Sequence, residues 1–385
     1  MATDNKNKVL NVPNLRFPEF KEEWKDSNIG KCFDLYSGNT PSRMEKEHFI
    51  GDVNWITSGE LKEHYIGDTK ERISEKAAAD NNLRILPIGT FVMAIYGLEA
   101  EGVRGTCSIT VKTSTISQAC MAFTPKSNVS NEFLYSWYKK HGNKIGIRYA
   151  QGTKQQNLSY DIIEKFPIIY PSIEEQEKLN TFISLLDERI ATQNKIIEQL
   201  QSLIKGIYDK TFANFSKYQA LSSICKIQKG QQVNGEELSE FGEYYVMNGG
   251  IEPSGYYDKY NTMPNTISIS EGGNSCGYIQ FNTVPFWSGG HCYTLQGIST
   301  EYNTHFVYHY LKSKEKEIMS LRIGSGLPNI QKKDLEIFPI PELSLETQIR
   351  ISNGINKIET KLKQEKNMLS AYQTQKAYLL RNLFI

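Results

Sequence analysis

Residues 166–177 read FPIIYPSIEEQE and residues 338–349 read FPIPELSLETQI, so the chain writes one domain ending and one helix start twice. The echo is in register. Asn157 and Asn329, Glu164 and Glu336, Phe166 and Phe338, Pro167 and Pro339, Glu174 and Glu346, and Gln176 and Gln348 are all 172 positions apart, as are Gly152 and Gly324. A period this long lies outside the roughly 20–50 residues of solenoid and propeller repeats and signals a duplicated domain. The length of 385 residues agrees, because at about 150 residues per domain it allows two or three cores.

In each half a mixed region comes first and one long helix comes last. The first mixed region, about 24–170, carries strand-like runs such as GTFVMAIY and ACMAFTP between Gly, Asn and Pro. The second, about 218–341, carries NTISISEGGNSCGYIQF and GGHCYTLQG. Helical segments, NEFLYSWYKKHGNKI and NTHFVYHYLKSKEKEIMSL, fall late in both. Both halves therefore read as α/β units and not as pure sandwiches.

The long helices give the clearest pattern. Ser172 and Ser344 each precede an acidic first turn, and Pro171 stands just upstream of the first, which suits an N-cap followed by carboxylates at the positive end of the helix dipole. Beyond the start, Ile183, Leu186, Ile190, Ile197, Leu200, Ile204 and Ile207 fall in steps of three and four, with Gln193 in the one gap. The second trace runs through Ile355, Ile358, Leu362, Leu369, Tyr372 and Leu379, with Glu365 and Lys376 at its gaps. Glu365 is the repeat mate of Gln193, so both seams are interrupted at the same level. Such a residue either fixes register and partner at a cost in stability or marks a surface notch. A helix over 172 to about 212 is roughly 60 Å long at ~1.5 Å per residue. It is too narrowly striped for a globular core and needs a partner helix, which its own repeat supplies.

The expected organisation is an arm over 1–23, a mixed domain over 24–171, a central helix over 172–215, a second mixed domain over 216–343 and a final helix over 344–385. The fold class is α/β, with two globular domains separated by two long antiparallel coiled-coil helices in a pseudo-two-fold internal repeat. The mixed domains have diverged: with Gly38 and Gly230 as matching early glycines, the stretch to Asn329 is shorter than the stretch to Asn157. A shared frame with different inserts suggests one common task and two different ones.

Composition narrows the task. Hydrophobic residues at 39% and charged residues at 23% describe an ordinary globular chain, and the formal charge is only +1. A nucleic-acid partner would require locally clustered Lys and Arg, or another subunit to neutralise phosphates. The start MATDNKNKVLNVPNLRF has no basic segment leading into an apolar core, and no window holds ~18 consecutive apolar residues, which predicts a cytoplasmic protein. Cys32, Cys107, Cys120, Cys225, Cys276 and Cys292 form no C-x-x-C pair and read as reduced packing residues, with neither a zinc site nor a disulfide frame.

At this point the chain resembles the DNA specificity subunit of type I restriction-modification systems. YSGNTPSR with GDVNWITSGEL is similar to the opening of a target recognition domain, and STISQACMAFTP to its later strand pair. NLSYDIIEKFPIIYPSIEEQEKL and NIQKKDLEIFPIPELSLETQI resemble the two segments that lead into the family's spacer helices. YYVMNGGIEPSGYYDKYN through PFWSGG resembles another recurrent type of recognition domain. One departure is Thr347-Gln348, where the family often has Glu-Gln, although Glu346 stands one residue earlier. The resemblance implies a noncatalytic subunit that binds double-stranded DNA, two methyltransferase subunits through its helices and, in the full complex, two ATP-dependent restriction subunits. Each recognition domain would read one half of an asymmetric bipartite site. S-adenosylmethionine, ATP and Mg2+ would belong to the partner subunits and not to this chain.

The residues fit reading better than catalysis. An adenine methyltransferase needs a glycine-rich cofactor turn and a catalytic Asn or Asp beside Pro-Pro, and the chain has no Pro-Pro; GLEAEGVRG and GIRYAQGTK lack the Gly-Lys-Ser/Thr ending of a phosphate loop. His291 beside Cys292 invites a thiol nucleophile, but neighbours in a strand face opposite ways, so packing is the better reading. Reading DNA takes phosphate contacts for placement and side chains that reach base edges. In the first domain the candidates are Ser37, Asn39, Thr40, Ser42, Arg43, Thr57, Ser58, Tyr96, Arg104 and Lys154. In the second they are Lys229, Gln231, Gln232, Asn234, Asn248, Tyr257, Asn274, Ser288 and Arg322. Turns favour Asn and Ser for backbone reasons alone, and each arginine reads equally as a solvated ion pair. The competing class is a coiled-coil scaffold with two protein-binding heads, which scattered charge and an exposed apolar patch would favour.

Overall fold

The computed structural model describes residues 11–152, 156–324, 326 and 328–385. The chain forms two units, the first running up to Thr192 and taking in Leu369–Ile385, the second comprising Gln193–Met368. The long helices, Ile173–Thr211 and Leu345–Leu383, contribute one end each to both units.

The first unit is built on a five-stranded sheet in the order Phe33–Ser37, Cys120–Pro125, Phe91–Ala94, Cys107–Thr110 and Tyr65–Ile66, of which only the last pairing is parallel. Its central strand reads FVMA without alternation because both faces are buried. A three-stranded sheet, Arg72–Ile73, Val53–Ile56 and Ser114–Ile116, has its own small core around Trp55 and Ile73. The helix Asn131–Tyr149 covers the large sheet and is capped by Ser130, whose Oγ accepts from the Phe133 N–H. Gly142 and Gly146 lie inside it where a side chain would strike the Tyr138 ring and Arg104, respectively. Phe33, Phe91, Phe123 and Phe133 are fully buried, and Phe384 from the chain's end closes on Phe133 with ring centroids 5.3 Å apart.

The second unit has a four-stranded antiparallel sheet, Lys226–Lys229, Cys292–Gln296, Thr266–Ser270 and Ile279–Asn282. A smaller sheet joins Tyr256–Tyr257, Tyr244–Met247 and Trp287–Ser288. The late helical segment is broken in two, Thr304–Ser313 and Glu315–Ser320, at Lys314, whose backbone leaves the helical region at φ −98° and ψ 11°. Phe306, Leu311, Ile267, Ile269 and Leu295 fill the core.

The repeat is a repeat of backbone bonds. In the first unit Lys25–Asn28 pairs with Pro167–Tyr170, and the Ile29 N–H donates to the Phe166 carbonyl at 2.9 Å. In the second Tyr218–Ala220 pairs with Pro339–Pro341, and the Leu221 N–H donates to Phe338 at 2.9 Å. Gln151 and Asn157 exchange both backbone bonds around Gly152 at φ +105°, as Ile323 and Asn329 do around Gly324 at φ +100°. These two glycines hold a left-handed conformation that other residues adopt only under strain. Gly38 and Gly230 are equivalent too: each donates to the carbonyl of a cysteine that opens the adjacent strand, Cys120 or Cys292, and a Cβ at either would run into backbone carbonyls.

The helix starts repeat the same economy. Gln176 is fully buried; its Oε1 accepts from the Ser130 N–H at 2.9 Å, and its Nε2 donates to the carbonyls of Asn128 and Pro171 at 2.8 and 3.0 Å. Gln348 accepts from the Asn303 N–H at 2.9 Å and donates to Glu301 and Leu343 at 3.0 and 2.9 Å. Ser130 and Asn303 are the N-caps of the late helices. Each glutamine therefore ties a long helix to the helix that covers the sheet. The residue before it differs: Glu175 takes a bidentate bond from Arg16 and one from Trp24 Nε1, whereas among the described residues the Thr347 side chain bonds to Ser344. The departure at Thr347 falls where the second unit has no arm to hold.

Within each unit the long helices run antiparallel, since partner numbers fall as residue numbers rise. In the first, Asp187 meets Lys376 and Arg189 lies 5.1 Å from the Tyr372 ring; in the second, Gln193 meets Glu365 and the Tyr208 hydroxyl meets Glu359. The apolar positions of both seams are buried or half-buried. Gln193 and Glu365 are buried as well, and the Gln193 amide donates to the Glu365 carboxylate and carbonyl. The polar interruption is thus an internal pair of repeat-equivalent residues and not a surface notch.

Candidate DNA-reading surfaces

In the second unit the candidates gather at one end of the four-stranded sheet. Lys229 ends its strand and Gly230 turns the chain into Gln231, whose carbonyl accepts from Trp287 Nε1 at 2.8 Å and whose N–H donates to the Ser288 carbonyl. Gln232 lies against Gly290, and Asn248 Oδ1 accepts from the His291 N–H at 3.0 Å. Asn274 follows Gly273, whose N–H donates to Pro328, and is exposed. Asn234 and Tyr257 share the Glu237 carboxylate, and Tyr257 meets the Trp287 ring edge-on at 5.0 Å. Arg322 is exposed beside the Gly324 turn. Ser288 is the exception, with a buried side chain.

Glu271 stands at the centre of this group, and sequence reasoning passed over it. Its Oε1 accepts from Lys229 Nζ at 2.6 Å and from the Tyr293 hydroxyl at 2.9 Å. Among the described residues its buried Oε2 has no hydrogen-bond partner, and His291 Nδ1 stands 3.6 Å from it. Burial and the neighbouring carboxylate push the Tyr293 hydroxyl well above its ordinary value. Cys292 points inward, and burial raises its thiol to about 11, which suits packing and not nucleophilic attack. All six cysteines are free and buried.

In the first unit the candidates divide. Ser37 ends its strand beside Asn39, whose N–H donates to Ile116; the Ser117 N–H donates to Ile56, next to Thr57. Asn39 Oδ1 accepts from the Thr40 N–H, and its Nδ2 donates to Asn81. Thr57 forms a capping box with Glu60, so its hydroxyl is engaged, with Ser58 opening the short helical turn. Arg43 makes a bidentate bond to Glu71, lies 4.5 Å from the Phe49 ring and leaves its neighbour Met44 fully in solvent. Beside Arg43 the Glu71 carboxyl is held below its ordinary range. Ser42 bonds weakly to the Met44 N–H. Tyr96 follows the central strand and is half-buried. Arg104 lies apart from Arg43, packed on Gly146 and donating to Gln156 Oε1 at 2.7 Å. Lys154 lies outside the described residues.

Among the described residues no helix is long and apolar enough to cross a membrane. A family model described as the type I restriction modification DNA specificity domain matches residues 21–202 and 216–370. A type I restriction enzyme specificity subunit of Methanocaldococcus jannaschii is 24% identical over 83% of this chain and 84% of its own length. A putative type I specificity subunit of Mycoplasma pneumoniae is 35% identical over 154 residues, 40% of each chain. Among solved structures, the type I restriction-modification S subunit of M. genitalium superposes with a TM-score of 0.69 at 21% identity, covering 97% of this chain and 99% of that one.

Proposed function

The chain belongs to the family of type I restriction-modification DNA specificity subunits, and from that premise we propose that its two mixed units read the two halves of an asymmetric, bipartite site in double-stranded DNA. It is a noncatalytic subunit. Chemistry belongs to its partners: two methyltransferase subunits that dock on the helices, and two ATP-dependent restriction subunits in the full complex. S-adenosylmethionine, ATP and Mg2+ are bound by those partners. Base recognition comes from the polar sheet ends, where Lys229, Gln231, Gln232 and Asn248 converge in one unit and Ser37, Asn39 and Thr57 in the other.

One observation carries this reading: the anchoring bonds of the frame are duplicated while the sheet ends differ. Two identical frames suit two copies of one partner, and two different ends suit two different half-sites. Ile173 and Leu345, equivalent first residues of the long helices, are 37% and 41% exposed and give docking the same apolar foothold twice. The glutamines behind them are consumed internally, so a partner meets the outer faces of the helices.

The helices also act as a ruler. Four residues inserted at one level in both add about 6 Å of rise while nearly preserving helical phase. The nonspecific gap of the recognised site is then expected to lengthen by about two base pairs at ~3.4 Å each. The measurement is the methylated motif of the complex reconstituted with the insertion variant. An unchanged gap at full methylation would refute the ruler.

A further inference from the structure

The duplication lets each position of one unit be compared with its counterpart in the other. The Ile95 N–H donates to the Ala119 carbonyl and the Ile95 carbonyl accepts from Leu158; the Glu271 N–H donates to His291 and the Glu271 carbonyl accepts from Ile330, all four at 2.9 Å. Ile95 and Glu271 are therefore the same place in the frame, just past the central strand. By the same registers Lys229 corresponds to Ser37, His291 to Ala119 and Tyr293 to Met121. One unit fills this place with neutral side chains, and Ile95 and Met121 are buried. The other puts a carboxylate there, 8% exposed.

The frame does not need that charge, because its sister folds with isoleucine. Taking a carboxylate out of water carries a desolvation cost that its partners must offset, and a buried polar atom left unpaired adds to it. Glu271 is nevertheless kept with Oε1 holding Lys229 and Tyr293 and, among the described residues, with Oε2 unpaired. Lys229, which bonds to Oε1, and His291, whose Nδ1 stands 3.6 Å from Oε2, are more than half exposed. A buried carboxylate that holds an exposed lysine ammonium is a mount for a side chain that acts outward.

We propose that Glu271 is a positioning residue that sets Lys229 against acceptor atoms on base edges, so that this node gives the second unit a half-site specificity the first unit lacks. The inference rests on the DNA-reading function proposed above. A lysine placed on guanine O6 and N7 discriminates by hydrogen bonds to those acceptors, and a swinging lysine does not.

The test uses the complete methyltransferase complex in cells, with genome-wide mapping of methylated motifs for the wild type, Glu271→Gln and Glu271→Ile. Glu271→Ile installs the sister residue. It is expected to relax at least one base of one half-site, with discrimination there falling about tenfold, while the other half-site and the gap stay unchanged. Glu271→Gln keeps an acceptor for Lys229 and Tyr293 and is expected to retain part of the discrimination; it also carries the test if the isoleucine variant fails to assemble. An unchanged motif in assembled variants would overturn the proposal, as would uniform weakening at every sequence, the mark of phosphate contacts alone. If the wild-type complex methylates no gene-dependent split motif, the DNA-reading function fails and the node's role falls with it.

Discussion

The two units share a skeleton and differ at its ends. Gly38 and Gly230, Gln151–Asn157 and Ile323–Asn329, and Gln176 and Gln348 make the same bonds in both. The sheet ends between those anchors do not match: Arg43 stacks on Phe49 and Trp55 over a small separate core, whereas Lys229 is held by buried Glu271. Backbone bonds and a few glycines and glutamines are enough to fix the frame, which leaves the side chains at the sheet ends free to diverge.

Four substitution sets would break or sharpen that comparison. Phe133→Ala and Phe306→Ala, each removing a fully buried ring on the covering helix, are expected to cost about 3–5 kcal/mol apiece in denaturant unfolding. A cost near zero at one of them would deny the shared frame.

The next effect is a pH dependence. His309 is buried between the Tyr208 hydroxyl and Asn356 Oδ1, and burial lowers its pKa to about 4. The unfolded chain protonates this group near pH 6.5 and the folded one not until about 4, so stability falls as pH falls through that window, by roughly 3 kcal/mol. The raised carboxyl of Glu359, protonated earlier in the folded state, works in the opposite direction and offsets part of the loss. His141 in the first unit, also lowered to about 4 by burial, adds a loss of the same sign. Thermal unfolding from pH 7 to 4.5 is therefore expected to show a shallower decline for His309→Gln than for the wild type. Parallel curves would remove His309 from the explanation.

Gln176→Leu and Gln348→Leu each strand one buried N–H and two carbonyls, for about 1–3 kcal/mol. The two values should agree closely, and a large disparity in calorimetry would show that the helix starts are not equivalent. Smallest is the contrast between Lys229→Met, which leaves the Glu271 carboxylate short of a donor and is expected to cost about 1–3 kcal/mol, and Arg43→Met, which removes an exposed pair worth about 0–1 kcal/mol. Equal costs would mean that Glu271 is better solvated than its burial implies.

Much of the frame is legible in the sequence because repeats, caps and seams leave periodic marks. The long helices, the α/β character of both units and the strands at FVMA and TISIS follow from residue pattern, and the equal level of Gln193 and Glu365 follows from the repeat, whereas their direct pairing is visible only in the structure. The break at Lys314 does not, since KSKEKE is good helix sequence. Glu271 was hidden for a different reason. The offset between equivalent positions drifts where the inserts differ in length, so Ile95 and Glu271 align only through their hydrogen bonds. Arg43, which the sequence offered equally as a base contact or a solvated ion pair, is bound to Glu71 in the structure.

The most direct measurement is the sequencing of adenine methylation in cells that carry the partner methyltransferase with and without this gene. Methylation that appears only with the gene, at a split motif with a fixed gap, is the predicted result and identifies both half-sites. A methyltransferase that is active and assembles with this chain but yields no gene-dependent motif would contradict it.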